Sequence, residues 1–449
     1  MPRTVLDLLQ SPPKTLDILV HLLDKKEMKV SEMKEELSLS PSTCHAAVQS
    51  LLGLGLIFKR EDVVRHLQTY VGLTVKGREI AGHLRPVSEA VESTLSSLRA
   101  ELKSIELRER TEGENRRMLE ILLILAESEF RIGDWDGVES HGKRAFDIAS
   151  ALNDSGNVAR ALRSMGEMHF GKGAMEKAEK EFAESLSIRM RIGDLNGCSG
   201  DHYLLGAIKE KRGRLHDAFR DYKEAERLAI ASEDDVLRAR AGLGIGRVLA
   251  KEGKYRESLA RFKESVEAFE RMNELDELPR AYTCAGSSAF YLDVDEAIEW
   301  HQKCIDLARE TGDLRMLGQG LSNMAGCYNK KKEPKKALRY LKEAARIFKV
   351  LDEKDMLVGM VIQMGWARSL EGKWVESENY LLQAIDMARK HGLAYELGDA
   401  LLNFGIVNMD RGRTQEARRQ LEEALDIFKR LGNQQKIDRV NEVLSSVSR

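Results

Sequence analysis

Glycine returns along this chain at a nearly constant interval, and that fact constrains the fold more than any other. In one sequence context stand Gly166, Gly206, Gly246, Gly286, Gly365 and Gly405, with Ala126 and Ala325 in the same column. From Ala126 the successive spacings are 40, 40, 40, 40, 39, 40 and 40 residues, which makes eight repeats. A period of this length marks an array of small supersecondary units, each too small to bury its own apolar face.

Other columns keep the same step. Seven residues beyond the anchor come Gly133, Gly173, Gly213, Gly253, Gly372 and Gly412, with Lys332 in the sixth repeat and the fifth repeat one residue short near Leu292-Asp293. Glycine suits a tight helix-to-helix turn because it enters the left-handed region without steric cost. Nineteen residues beyond the anchor, or eighteen in the short repeat, every residue is small: Ala145, Ser185, Ala225, Ser265, Cys304, Ala344, Ala384 and Ala424. Three positions later stand Ile148, Ile188, Leu228, Ala268, Leu307, Ile347, Met387 and Ile427, so close helix approach is followed by aliphatic filling. A last column reads Asn153, Gly193, Glu233, Asn273, Gly312, Asp352, Gly392 and Gly432, most of it suited to ending a helix. Each unit is therefore helix, turn, longer helix, cap, and the segment 435–446 adds one amphipathic helix at the open end.

These columns resemble the tetratricopeptide repeat, whose spaced Gly, aromatic and Ala positions appear as Gly166, Ala178, Phe182 and Ser185, and again as Ala325, Tyr328, Ala337, Leu341 and Ala344. The step of 40 rather than 34 is similar to the long-repeat branch of Pins/LGN-type scaffolds and Rap/PlcR-like peptide-sensing regulators, over roughly residues 114–434. The resemblance implies an α-solenoid of about eight hairpins within 113–449 that binds a peptide or protein in its concave groove. In those scaffolds an Asn two residues before the anchor lines the groove. Here that position holds Asn323, Gln363 and Asn403 in the last three repeats, and Ile124, Ser164, Leu204, Gly244 and Cys284 earlier. A carboxamide carries donor and acceptor together and can pair with an extended peptide. The alternative is a solvated polar face or a local backbone bond.

Residues 1–85 follow a different pattern. Helices are expected over 15–23 and 31–37, and over 40–52, where Ser40-Pro41 supplies an N-cap and a first-turn proline. Cys44, Val48, Leu51 and Leu52 then face inward. Strands are expected at 56–60 and 67–73 around a polar tip at Glu61-Asp62. The runs 51–57 and 70–78 resemble winged helix-turn-helix domains of the MarR/IclR-like regulator type. That resemblance implies that Ser42, Thr43, His45 and Gln49 enter the major groove of double-stranded DNA while Lys59, Arg60 and Arg65 sit on the wing. The segment holds 12 Lys+Arg against 10 Asp+Glu, a small excess for phosphate binding. A winged helix used for protein contacts is the alternative.

Between the two, residues 86–112 form a connector. Val91, Leu98 and Ile105 recur every seven residues, with Leu95 and Leu102 at the complementary heptad position. The seam suits either a short homodimeric coiled coil or a connector packed on its neighbours.

Composition excludes several classes. Aromatics at 6%, seven prolines and 32% charged residues favour helices over β-sandwiches, and a net charge of −2 excludes a wholly basic nucleic-acid coat. The start Met1-Pro2-Arg3-Thr4 lacks a charged-then-apolar leader, no window nears 18 apolar residues, and five scattered cysteines suit reduced thiols. A cytoplasmic location without membrane contact is expected. Ten histidines without H-E-x-x-H or a His/Cys cluster suggest no metal. Gly242-Leu243-Gly244-Ile245-Gly246 imitates a nucleotide loop but follows no strand, and no cofactor is expected. No catalytic constellation stands out. The chain reads as a mostly α, non-enzymatic transcriptional regulator, or else as an interaction scaffold.

Overall fold

The computed structural model describes Leu22, 28–36, Val48, 57–62, 68–73, 96–106, 111–132 and 134–447. The chain divides into two compact units, Met1–Ser288 and Ala289–Arg449.

Unit 1 opens with strand β1 (Met28–Lys29), helix α1 (Val30–Glu36), and strands β2 (Ile57–Asp62) and β3 (Gln68–Leu73). The sheet order is β1-β3-β2, with both pairings antiparallel. Glu61 and Asp62, expected as a polar tip, are strand residues paired with Thr69 and Gln68. The hairpin is longer than the hydrophobic alternation suggested, because backbone pairing runs on beyond the apolar residues. Leu22 and Val48 are buried. The rest of the expected helices 15–23 and 40–52 lies outside the described residues.

Helix α2 (96–106) precedes α3 (Glu112–Ile132). A capping box opens α3: Thr111 N–H donates to Glu114 Oε2 at 2.9 Å, and Glu114 N–H donates to Thr111 Oγ1 at 3.3 Å. Leu102 and Ile105 turn back into a core with Leu119, Leu122 and Ala145, with half-buried Leu98 packed against it. Val91 and Leu95 lie outside the described residues. Leu98, Leu102 and Ile105 thus pack within the chain, the contact that the connector alternative expects.

The hairpins follow. In unit 1 they are α3 with α4 (Trp135–Ala151), α5 (Ser155–Gly171) with α6 (Met175–Ile192), α7 (Leu195–Lys211) with α8 (Leu215–Ala231), and α9 (Asp235–Lys251) with α10 (Tyr255–Met272). The division between the units falls within α11 (Leu278–Leu292). Unit 2 continues with α12 (Val294–Thr311), then pairs α13 (Leu314–Lys330) with α14 (Pro334–Val350), α15 (Lys354–Leu370) with α16 (Trp374–His391), and α17 (Ala394–Asp410) with α18 (Thr414–Arg430). Helix α19 (Gln434–Val447) covers the last hairpin and inserts Val440 and Val443 into its core.

The anchor column has a steric cause. A Cβ on Gly166 would lie 2.6 Å from the Phe182 ring, one on Gly246 2.5 Å from Phe262, and one on Gly405 2.7 Å from Leu421. Each anchor lets the side chain sixteen positions on press against bare backbone, and this seats the two helices of a hairpin. Both turn columns are left-handed among the described residues, except in the shortened fifth repeat, where Asp293 is extended and caps the next helix. Gly173, Gly213, Gly253, Lys332, Gly372 and Gly412, and all eight residues from Asn153 to Gly432, have φ between 53° and 78°. The next residue donates to the carbonyl five back, as Ala174 does to His169 at 2.8 Å and Asp234 to Ala229 at 2.9 Å. Asp154, Asp194 and Asp234 then serve twice, since each side chain also caps the following helix at 2.8–3.1 Å, and Asp313 caps its helix in the same way at 2.9 Å.

Candidate partner-binding surface

Asn323, Gln363 and Asn403 stand on α13, α15 and α17 at one repeat position, each half-buried and flanked by buried neighbours. Stacking of identical hairpins sets them in line within unit 2. Two already hold local bonds. Gln363 Nε2 donates to Ser322 Oγ at 3.1 Å, and Asn403 Nδ2 donates to the Asp399 carbonyl one turn back at 2.8 Å. Asn323 has no hydrogen bond among the described residues. The row is therefore a set of amides whose acceptor oxygens have no donor among the described residues, while two of its three amide nitrogens are engaged as donors.

Unit 1 carries two buried polar clusters. Asp201 on α7 is fully buried, accepts from Ser185 Oγ at 2.6 Å, and lies 3.1 Å from Arg189 Nε. Burial pushes its pKa up against the opposing pull of Ser185, Arg189 and Arg163. Its Oδ1 has no hydrogen-bond partner, and the nearest cation, Arg163 Nη1, is 3.9 Å away. Arg163 and Arg189 also line a cavity of about 430 Å³ whose rim includes Glu127, Arg160 and Glu167. Every arginine there faces a carboxylate: Arg160 to Glu127, Arg163 to Glu167, and Arg189 to Asp194 and Asp201. These contacts brace successive repeats.

The second cluster is saturated. Tyr222 OH donates to Glu210 at 2.8 Å, Arg247 donates to Tyr222 OH at 2.8 Å and to Glu210 at 3.0 Å, and Lys251 lies 2.9 Å from Glu210. Burial alone would favour the neutral acid, but Arg247 and Lys251 outweigh it and hold the Glu210 pKa below the usual range. Sequence reasoning missed both clusters. One signal for the first was present: helix α7 holds Gly197 and Gly200 besides its anchor, and a Cβ on either would overlap the Arg189 or Arg163 guanidinium.

In the N-terminal region Lys59 and Arg60 stand in β2 opposite Val71 and Tyr70. Ser42, Thr43, His45, Gln49 and Arg65 lie outside the described residues. Among the described residues no three His, Cys, Asp or Glu side chains form a metal-binding group, and no helix is long and apolar enough to cross a membrane.

Comparison with known proteins agrees with the repeat architecture. The tetratricopeptide-repeat family model matches residues 200–271, and the model of the soluble NSF attachment protein, SNAP, matches residues 252–449. No curated protein matches the sequence. Among solved structures, a Rap protein complexed with competence and sporulation factor superposes with a TM-score of 0.50 at 14% identity, over 74% of this chain and 97% of that one. A signal-transduction ATPase with numerous domains and a tetratricopeptide-repeat sensor, from Pyrococcus horikoshii, gives 0.52 at 16% identity, over 96% of this chain and 65% of that one. At such identities the likeness concerns the fold, and by fold this chain is an α-solenoid of tetratricopeptide-type hairpins.

Proposed function

We propose that the chain is a non-enzymatic regulator whose unit 2 captures an extended peptide or protein tail along Asn323, Gln363 and Asn403. The observation that carries this is the row of half-buried carboxamides at one position of three successive repeats. A peptide strand offers alternating N–H and C=O groups, which suits amides with spare acceptors. The similarly folded Rap protein was crystallised with competence and sporulation factor, a precedent for ligand capture by this fold. Replacing Asn323 and Asn403 together by Ala is expected to abolish partner capture in a pull-down while leaving helicity and melting unchanged. Undiminished capture by the folded double variant would remove the groove assignment.

The reading extends to double-stranded DNA through a winged helix in the first 85 residues. Support comes from the β1-β3-β2 order and from α1 following β1, the arrangement that a wing hairpin beside a helix-turn-helix requires. Replacing Lys59, Arg60 and Arg65 by Ala should weaken binding to all duplexes and lower the slope of log affinity against log salt by about 0.9 per lost phosphate contact. Changing His45 or Gln49 should instead alter which sequence is preferred. If the full chain shows no DNA affinity at low salt, the N-terminal region acts through protein contacts and the scaffold alternative holds.

A further inference from the structure

The eight second helices differ sharply in charge. Helix α14, PKKALRYLKEAARIFKV, carries six cations and one acid. In the other seven second helices acids equal or outnumber the cations. Five cations of α14 fall at alternating steps of four and three: Lys335, Arg339, Lys342, Arg346 and Lys349. They form one exposed stripe about 21 Å long. None of the five makes an ion pair among the described residues, and only Arg339 has an aromatic contact, over the Tyr340 ring.

The neighbouring second helix is its electrostatic opposite. Helix α12 carries five acids and two cations, and its residues at the equivalent repeat positions are Asp295, Glu299, Gln302, Asp306 and Arg309. Asp295, Glu299 and Asp306 are exposed. Asp295 pairs with Lys331, and Asp306 accepts from Gln302 at 2.9 Å. The Arg309–Glu343 pair at 2.8 Å ties the two helices side by side within unit 2. A basic and an acidic stripe of the same spacing thus lie next to each other.

We propose that this face of unit 2 binds a second copy of the chain, the acidic stripe of each copy lying on the basic stripe of the other. A two-fold axis running between the stripes and along the helices exchanges them. It brings Asp295, Glu299 and Asp306 of one copy level with Lys335, Arg339 and Arg346 of its partner, and repeats each pair once more. Charge complementarity of this kind selects the register and makes the association salt-sensitive. A nucleic-acid backbone fits less well, because the acids of α12 lie within about one Debye length, ~10 Å, of the cations and repel phosphate. A lipid surface also fits less well, since α14 exposes no large apolar side chain to insert. The proposal is independent of the peptide and DNA readings, since none of their residues belongs to either stripe.

A charge swap in the full-length chain tests it. One variant carries Lys335→Glu, Arg339→Glu and Arg346→Glu; the other carries Asp295→Lys, Glu299→Lys and Asp306→Lys. By sedimentation equilibrium at low salt the unaltered protein is expected to show twice the chain mass and to dissociate as salt rises. Each variant alone should weaken self-association at least about tenfold, since several exposed pairs turn repulsive together. An equimolar mixture of the two should regain the dimer, because each of the three swapped pairs is again opposite in sign. Helicity by circular dichroism shows that both variants remain folded. An unaltered protein of single-chain mass at all salts, variants that still dimerise, or a mixture that stays monomeric each overturns the proposal. If the unaltered protein is monomeric and the glutamate variant loses retention on duplex DNA or phosphatidylserine vesicles, the stripe serves a phosphate-bearing partner instead.

Discussion

Three residues hold a backbone conformation that their side chains oppose. Glu233, Lys332 and Asp352 have φ of 57°, 58° and 56°, at turn positions where most other repeats place Gly or Asn. Left-handed geometry costs a residue with a Cβ roughly 1–2 kcal/mol, partly offset by the greater unfolded entropy of glycine. Glu233→Gly or Lys332→Gly is therefore expected to stabilise the fold by about 0.5–1 kcal/mol, read as a higher denaturation midpoint with unchanged slope. His301 is a second outlier. It occupies the column of Phe182, Tyr222, Phe262, Leu341, Leu381 and Leu421 and is almost wholly buried. Its Nδ1 has no hydrogen-bond partner, and burial holds its pKa down to about 4. The unfolded chain takes up a proton near pH 6.5 that the folded chain refuses until about pH 4. The stability held by neutral His301 is complete above that upper value and lost progressively on acidification between the two, about 3 kcal/mol in all. His301→Leu should flatten this part of the stability–pH profile, measured by urea unfolding at several pH values.

At the scale of elements, α2 shows how an amphipathic helix can be read correctly as to face and still leave its partner open. Its heptad spacing specifies a stripe, and a stripe packs equally well on another chain or on α3. The capping box at Thr111 starts α3 afresh, and Leu102 and Ile105 of α2 pack with its Leu119 and Leu122. Leu102→Ala is expected to cost about 2–3 kcal/mol of unit 1 stability with no change in molecular mass. A change of mass with unaltered melting would instead point to an interchain seam. The first helices beginning at Ser155, Leu195, Asp235 and Leu314 have side-chain caps, whereas the second helices beginning at Met175, Leu215 and Tyr255 do not. Asp234→Ala should thus destabilise by about 1 kcal/mol, while Lys254→Ala at an uncapped start should have little effect through capping.

At the scale of the whole molecule, stability in a repeat array is a sum over neighbours, so an end has only one. Helix α19 supplies the missing neighbour for the last hairpin by burying Val440 and Val443 beside Leu421 and Phe428. Ending the chain after Gly432 should therefore lower hydrogen-exchange protection first in α17 and α18. The amides of α7 and α8, in the other unit, should keep theirs. Equal loss in both places would contradict nearest-neighbour stability.

The eight repeats, their turns and the final helix were all legible in the sequence. They depend on local steric needs that recur every 40 residues: a bare backbone at Gly166 or Gly246, a left-handed turn at Gly173 or Gly213. Periodicity exposes such needs without knowledge of any neighbour. The line of Asn323, Gln363 and Asn403 was legible for the same reason, and so was a local backbone bond such as that of Asn403 to Asp399, but the bond of Gln363 to Ser322 of the preceding repeat was not. Likewise Asp201 meets Arg189 and Ser185, Glu210 meets Tyr222 and Arg247, and the basic stripe of α14 lies beside the acids of α12. Those meetings join residues of different helices. Only the stacking of the hairpins decides which long side chains reach one another, because electrostatic pairing acts through space while the repeat pattern runs along the chain.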